Sequence, residues 1–107
     1  MTTITEEEIL NVFYLLDLIK VKLINDSVND NCYNLKYSYL DDIITINYDW
    51  STYEEGSIVL IIIDLKNNTI QEIEDGGTVY GELKENTALS FKNYIDIEKY
   101  IKYYFNY

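Results

Sequence analysis

The middle of this chain alternates apolar and polar residues, and this alternation limits its possible folds more than any other feature. Odd-numbered positions are apolar from Tyr33 to Tyr39, and even-numbered positions are apolar from Ile44 to Trp50. Successive side chains of a strand point to opposite faces of a sheet, so the pattern predicts two half-buried antiparallel strands. Residues 40–42 between them are few enough to form a hairpin turn.

Three further strands are predicted after this hairpin. The apolar run 58–63 is typical of a central strand buried on both faces. Residues 69–74 and 78–83 follow as strands, each preceded by a short polar turn. Gly81 within the last segment indicates a bulge or an edge strand.

Helical spacing replaces the alternation at both ends of the chain. Thr5 and Glu8 form a predicted capping box, and apolar residues then recur every three or four positions up to Leu23. We expect this helix to end before Asn25 and, because its apolar face is wide, to be buried on more than one side. A second helix is predicted from the apolar spacing that begins at Tyr94.

Together these patterns predict a single α+β domain over residues 1–107. The predicted order is an N-terminal helix, an antiparallel meander of about 4–5 strands and a C-terminal helix. Hydrophobic residues make up 48% of the chain, which is enough to build a core despite the high charge. We expect a two-layer sandwich in which both helices cover one face of the sheet.

Charge and the rare residue types exclude several classes of function. The chain carries 19 acidic and 8 basic side chains, a net charge of −11, and every cation is a lysine. One cysteine without histidine cannot build a zinc site or a disulfide framework. Direct binding of nucleic acid requires clustered cations, which the chain lacks. Because no histidine is available to activate Cys32, we expect neither an enzyme nor a bound metal or cofactor.

The chain shows no sequence feature of a membrane or exported protein. Its longest apolar run has six residues, whereas a membrane-spanning helix needs about 20. The first residues are acidic, whereas a signal peptide begins with positive charge. A single free cysteine suits a reducing compartment. We therefore expect a cytoplasmic protein that does not bind membranes.

Carboxylates are concentrated in the later strands and the turns between them. Residues 54–90 hold 8 acidic residues and 2 lysines. Glu72 and Glu74 are two positions apart on a predicted strand and therefore point to one side, where Glu82 would extend the row. Such a row imitates the phosphates of a nucleic-acid backbone and attracts a basic groove. The alternative is an acidic face that serves only solubility. The predicted partner-binding carboxylates are Glu54, Glu55, Glu72, Glu74, Asp75, Glu82 and Glu85.

Tyrosine supplies a second candidate contact surface. Tyr100, Tyr103 and Tyr107 recur at helical spacing and widen the apolar face of the last helix beyond what one buried side requires. Tyrosine is enriched at protein interfaces, so we expect a partner or a second copy to cover these rings. Filling of the core is the alternative. Tyr53, which precedes two glutamates in a predicted loop, is a further candidate anchor.

The function predicted from these features is binding rather than catalysis. We expect a small acidic inhibitor that docks on the basic nucleic-acid-binding surface of a larger nucleic-acid-processing protein, as a mimic of DNA or RNA. In size, charge and composition the chain is similar to the counter-defence proteins of phages and plasmids, including anti-CRISPR and anti-restriction proteins. Two alternatives remain open. One is an immunity protein that neutralises a basic nuclease toxin, and the other is an assembly module that forms a homodimer through the tyrosine helix.

Overall fold

The predicted α+β order is confirmed in the computed structural model, which describes residues 4–26, 32–51, 56–75, 83–85 and 88–107. Two helices flank an antiparallel meander of five strands, and a sixth, two-residue strand joins the same sheet. The helices are α1 (Glu6–Asp26) and α2 (Tyr94–Tyr104), and the strands are β1 (Cys32–Leu40), β2 (Ile43–Ser51), β3 (Gly56–Asp64), β4 (Thr69–Asp75), β5 (Leu83–Glu85) and β6 (Leu89–Ser90).

Helix α1 begins at the predicted capping box. The backbone N–H of Glu8 donates to Thr5 Oγ1 at 3.1 Å, and the backbone N–H of Thr5 donates to Glu8 Oε1 at 3.0 Å. These two bonds satisfy donors that the first turn of a helix leaves without intrahelical partners. The helix continues to Asp26, two residues beyond its predicted end.

The first hairpin is tighter than predicted. Leu40 pairs directly with Ile43, so only Asp41 and Asp42 form the turn. Both have positive φ angles, 52° and 62°, as a two-residue type I′ turn requires. Aspartate tolerates this left-handed region better than most residues because its short side chain forms local hydrogen bonds. The turn therefore fixes the register over the whole length of the two strands.

Strand β3 is central, but it is buried on one face only. It lies third in the sheet order, and Ile61 and Ile63 are fully buried. Ile58 on the opposite face is 49% exposed, and Leu60 is only partly buried. The prediction of burial on both faces was therefore wrong. A run of apolar residues predicts a strand, but it does not show whether one face or both faces of that strand are covered.

The outer edge of β4 pairs with two short strands. β5 pairs with the end of β4, where Asp75 lies opposite Leu83, and β6 pairs with its start, where Ile70 lies opposite Leu89. The last strand of the meander was predicted over residues 78–83. The described strand instead begins at Leu83, and residues 76–82, with Gly81, lie outside the described part of the chain.

Both helices cover the same face of the sheet and run in the same direction. Near their C-terminal ends, Lys22 Nζ donates to the carbonyl of Asn106 at 2.8 Å and lies 5.8 Å from the ring centre of Tyr107. Near their N-terminal ends, the carboxylate of Glu8 acts electrostatically on Tyr94. The predicted two-layer arrangement is confirmed. Among the described residues the core includes Ile9, Val12, Leu15, Leu16, Ile19, Leu35, Ile44, Ile46, Val59, Ile61, Ile63, Leu65, Ile70, Phe91, Ile97, Ile101 and Phe105.

Candidate functional site

The predicted carboxylate pair on β4 lies on the covered face of the sheet. Glu72 is opposite Ile61 and Glu74 is opposite Val59, and both of these partners are buried in the core under the helices. The two glutamates therefore share one side, as predicted. That side faces α2 rather than solvent, and both side chains are partly buried.

Glu72 has an internal partner, the hydroxyl of Tyr100 on α2. Burial, the nearby charge of Glu72 and the hydrogen bond to its carboxylate together raise the pKa of Tyr100 to about 12. The Tyr100 ring stacks on Tyr104 with 6.0 Å between ring centres. The hydroxyl of Tyr104 in turn lies 3.2 Å from that of Tyr48 on β2. Glu72 and Tyr100 thus help to attach α2 to the sheet.

The register of β4 and β5 gives the backbone positions of two further predicted carboxylates. Asp75 lies opposite Leu83, and Glu85 lies opposite Ile73. Glu74 lies opposite Lys84. Tyr53, Glu54, Glu55 and Glu82 lie outside the described residues.

The predicted tyrosine surface on α2 is partly open to solvent. The Tyr103 side chain is 88% exposed and that of Tyr107 is 50% exposed, whereas Tyr100 is half-buried. Ile95, two turns before Tyr103, is exposed as well. Two of the three predicted rings are therefore available for contact, and the third packs inside the protein.

An acidic surface that the sequence reasoning missed lies at one end of the molecule. The β1–β2 turn and the β3–β4 turn are adjacent there, because the Leu65 N–H donates to the carbonyl of Asp42 at 2.8 Å. The first turn of α1 reaches the same place, where Glu6 acts electrostatically on Tyr39. We call this surface the acidic end; it consists of Glu6, Glu7, Asp41, Asp42 and Asp64.

Hydrogen bonds hold two carboxylates of the acidic end in place, those of Asp42 and Asp64. Asp64 Oδ1 accepts the backbone N–H groups of Lys66 and Asn67, each at 3.0 Å. A hydrogen bond from the Asn67 side chain, these two backbone bonds and the charge of Lys66 together lower the pKa of Asp64. Asp42 Oδ1 accepts the Tyr39 hydroxyl at 3.2 Å. Partial burial, this bond and the surrounding carboxylates raise the pKa of Tyr39.

The outer side of α1 carries a second surface that was not predicted. Leu10 and Tyr14 are each 66% exposed, and Leu18 and Val21 are exposed too. The expected burial of this helix on more than one side was therefore wrong for Tyr14 and Leu18. We call these four residues the α1 stripe. At its N-terminal end a groove of about 270 Å³ opens between the helix and β1, lined by Glu6, Ile9, Leu10, Phe13 and Tyr39.

Neither a membrane helix nor a metal cluster is found in the described segments. No helix there is long and apolar enough to cross a bilayer, and no three His, Cys, Asp or Glu side chains come together as cation ligands. Comparisons of the chain with protein families, curated proteins and solved structures found no match. Function is therefore inferred from the charge and shape of the surface.

Proposed function

We propose that this chain is a non-enzymatic inhibitor that binds the basic nucleic-acid-binding surface of a larger, nucleic-acid-processing protein. The observation that carries the proposal is the acidic end, where carboxylates from α1 and from two hairpin turns occupy one surface. A basic groove that holds nucleic acid is attracted to such a surface and is blocked once it is occupied. The inhibitor acts in the cytoplasm, in the manner of phage and plasmid counter-defence proteins.

The charge balance supports this proposal. A net charge of −11 on 107 residues exceeds the magnitude of about 2–8 that keeps a small domain soluble. Glu6, Glu7, Asp41 and Asp42 are all exposed. The ion pair described within α2, Lys102 Nζ to Glu98 Oε1 at 3.0 Å, does not involve these four carboxylates. The excess charge therefore remains available to attract a cationic partner.

The rigidity of the acidic end also supports binding. Asp41 and Asp42 form a two-residue turn between fully paired strands, and Asp64 is fixed by backbone hydrogen bonds. Side chains that are already ordered lose less conformational entropy when a partner binds. This arrangement suits a surface that meets a groove shaped for a regular line of phosphates.

A second candidate function is an assembly module that dimerises through α2. It is favoured by Tyr103 and Ile95, two exposed apolar side chains that lie on the same side of that helix. Analytical ultracentrifugation at low and high salt tests it. A dimer that resists salt and is lost in Tyr103→Ala supports this candidate, whereas a monomer at all protein concentrations contradicts it. An immunity protein would use the same acidic surface as the inhibitor and differs from it in the partner alone.

The inhibitor proposal is tested by affinity capture followed by competition. The immobilised chain should retain a basic nucleic-acid-processing protein at low salt and release it at high salt. An excess of DNA or RNA should displace the retained protein, because both ligands use one surface. A retained protein that nucleic acid fails to displace would contradict the proposal.

A charge-matched pair of variants locates the contact. Asp41→Asn with Asp42→Asn neutralises the hairpin turn and keeps its shape, since asparagine also tolerates positive φ. Asp49→Asn with Glu98→Gln removes the same charge elsewhere. We expect the first variant to lower the association rate for the captured protein about tenfold at low salt, and the second to change it much less. Equal effects of the two variants would mean that the acidic end is not the contact.

A further inference from the structure

The α1 stripe is an apolar surface that the described part of the protein leaves uncovered. Leu10, Tyr14 and Leu18 follow at intervals of four residues, and Val21 lies three further on, so they form one line along the helix. The opposite side of the same helix is buried in the core through residues such as Leu16 and Ile19. A surface helix needs one apolar face to pack on a sheet, and α1 has two. A contiguous exposed apolar surface of this kind marks a site of interaction.

The groove at the start of the stripe adds depth to this surface. Its lining is largely carbon, from Ile9, Leu10, Phe13 and Tyr39, and the carboxylate-bearing Glu6 is the charged residue of the lining. The volume of about 270 Å³ lies just below the range of about 300–1,000 Å³ typical of small-molecule pockets. An apolar side chain from a protein partner fits these dimensions better than a drug-sized ligand.

The charges beside the stripe are acidic. Glu6 and Glu7 lie at its N-terminal end. Asp17 lies between Tyr14 and Val21 along the helix, and its carboxylate accepts the hydroxyl of Tyr37. The cations of α1 face other residues of the same chain. Lys20 Nζ lies 6.0 Å from the ring centre of Tyr37, and Lys22 donates to a backbone carbonyl next to α2. A complementary surface is therefore apolar along its centre and cationic at its borders.

We infer that the α1 stripe and its groove bind a basic amphipathic helix of the partner protein. This inference rests on the proposed function and names the chemistry of the contact. Apolar residues of the partner helix at helical spacing would lie along the stripe, with one of them inserted in the groove. Lysine or arginine residues beside them would meet Glu6, Glu7 and the other carboxylates of the acidic end. A second copy of this chain fits less well, because it would bring together two chains that each have a net charge of −11.

A synthetic peptide of about 14 residues, with leucines on one helical face and lysines on the other, is a direct probe of the surface. A peptide of the same composition, scrambled so that the leucines are spread around the helix, controls for charge. Titrations would be followed by fluorescence anisotropy of a labelled peptide and by NMR shifts of the protein. We expect the amphipathic peptide to bind at least about tenfold more tightly than the scrambled one, with shifts confined to residues around the stripe and groove.

Matched variants separate the stripe from other exposed apolar residues. Leu10→Gln should weaken binding of the peptide about tenfold, because it removes a largely exposed leucine that becomes buried in the complex. Leu89→Gln, which changes a leucine that is 55% exposed on β6, is the control and should have little effect. Tyr14→Gln and Tyr103→Gln form a second pair with the same expectation. Glutamine is a good helix former, and circular dichroism would verify the fold of each variant.

Several outcomes would overturn the inference. Equal affinity of the amphipathic and scrambled peptides would show that charge alone drives binding. Shifts centred on Tyr103, or equal losses for Leu10→Gln and Leu89→Gln, would place the contact elsewhere. A dimer that Leu10→Gln dissociates would make a second copy the occupant of the stripe.

The inference and the proposed function fail in different ways. If nucleic acid displaces the captured partner but Leu10→Gln leaves the affinity for that partner unchanged, the inhibitor proposal stands and the stripe is not its contact. If Leu10→Gln weakens binding of both the peptide and the partner but nucleic acid displaces neither, the stripe is a docking site and the inhibitor proposal is wrong.

Discussion

The contact between Glu72 and Tyr100 predicts how the stability of this protein depends on alkaline pH. Burial and the neighbouring carboxylate raise the pKa of Tyr100 from 10.0 to about 12. In the unfolded chain the same hydroxyl ionises near its ordinary pKa of about 10. Between these two values the folded state holds a proton that the unfolded state has lost. The contribution of Tyr100 to stability is therefore complete below about pH 10 and is lost as the pH rises towards about 12.

The size of the effect follows from the pKa shift and the exposure of the ring. A shift of two pKa units in a fully buried group corresponds to about 2.7 kcal/mol. Tyr100 is only half-buried, so solvent screens its contact with Glu72. We therefore expect Tyr100 to account for about 1 kcal/mol of the stability lost between about pH 10 and 12.

Urea unfolding at a series of alkaline pH values, followed by circular dichroism, measures this share. Tyr100→Phe removes the ionisable hydroxyl. Between about pH 10 and 12 the free energy of unfolding should decrease for both proteins, and the decrease should be about 1 kcal/mol smaller for Tyr100→Phe than for the unsubstituted protein. Tyr103→Phe removes a hydroxyl from a ring that is almost fully exposed and is the matched control. Parallel curves for Tyr100→Phe and the unsubstituted protein would refute the placement of Tyr100 beside Glu72.

Two further predictions concern the stability of the core and of α1. Ile61→Ala should lower the free energy of unfolding by about 2–5 kcal/mol in urea titrations, because Ile61 is fully buried. Ile58→Ala on the open face should lower it much less. Equal losses for the two variants would contradict the assignment of the two faces. Thr5→Ala should cost about 1 kcal/mol and reduce protection of the first-turn amides in hydrogen exchange, because the capping box is lost. Unchanged protection would contradict its role.

The features predicted correctly from the sequence are those that depend on residues close to one another in the chain. The capping box depends on Thr5 and Glu8, three positions apart. The strands of the first hairpin follow from alternation, and a register slip of one residue would move the apolar positions of the slipped strand to the opposite face. Each of these elements is determined by residues that are close together in the chain, such as Thr5 and Glu8. The fold class could therefore be predicted from the sequence.

The choice of the covered face could not be predicted in the same way. Alternation shows that Glu72 and Glu74 share a side, but the side depends on their pairing with β3. In the run 58–63 both the odd and the even positions are apolar, so the sequence of β3 does not distinguish its two faces. The register places Glu72 opposite Ile61, and this places its carboxylate under α2.

The acidic end escaped prediction because its carboxylates are far apart in the chain. A meander brings alternate turns to the same end of a sheet, so the Asp41-Asp42 turn meets the turn that follows Asp64. The order of the predicted strands was therefore enough to predict that these two turns lie close together. The missing information was the position of α1, whose first turn adds Glu6 to the same surface.

The internal role of Glu72 changes which part of the protein is suited to contact a partner. A carboxylate that accepts a tyrosine hydroxyl beneath a helix would have to break that bond before it could meet a partner's cation. The carboxylates of Glu6, Glu7 and the Asp41-Asp42 turn are exposed. Glu6 lines the groove of α1 together with Tyr39, whose hydroxyl donates to Asp42. Long-range charge mainly raises the rate of encounter, whereas well-packed apolar anchors mainly slow dissociation. An acidic end next to an apolar groove combines the two effects on one surface, which a row of carboxylates on the sheet would not do.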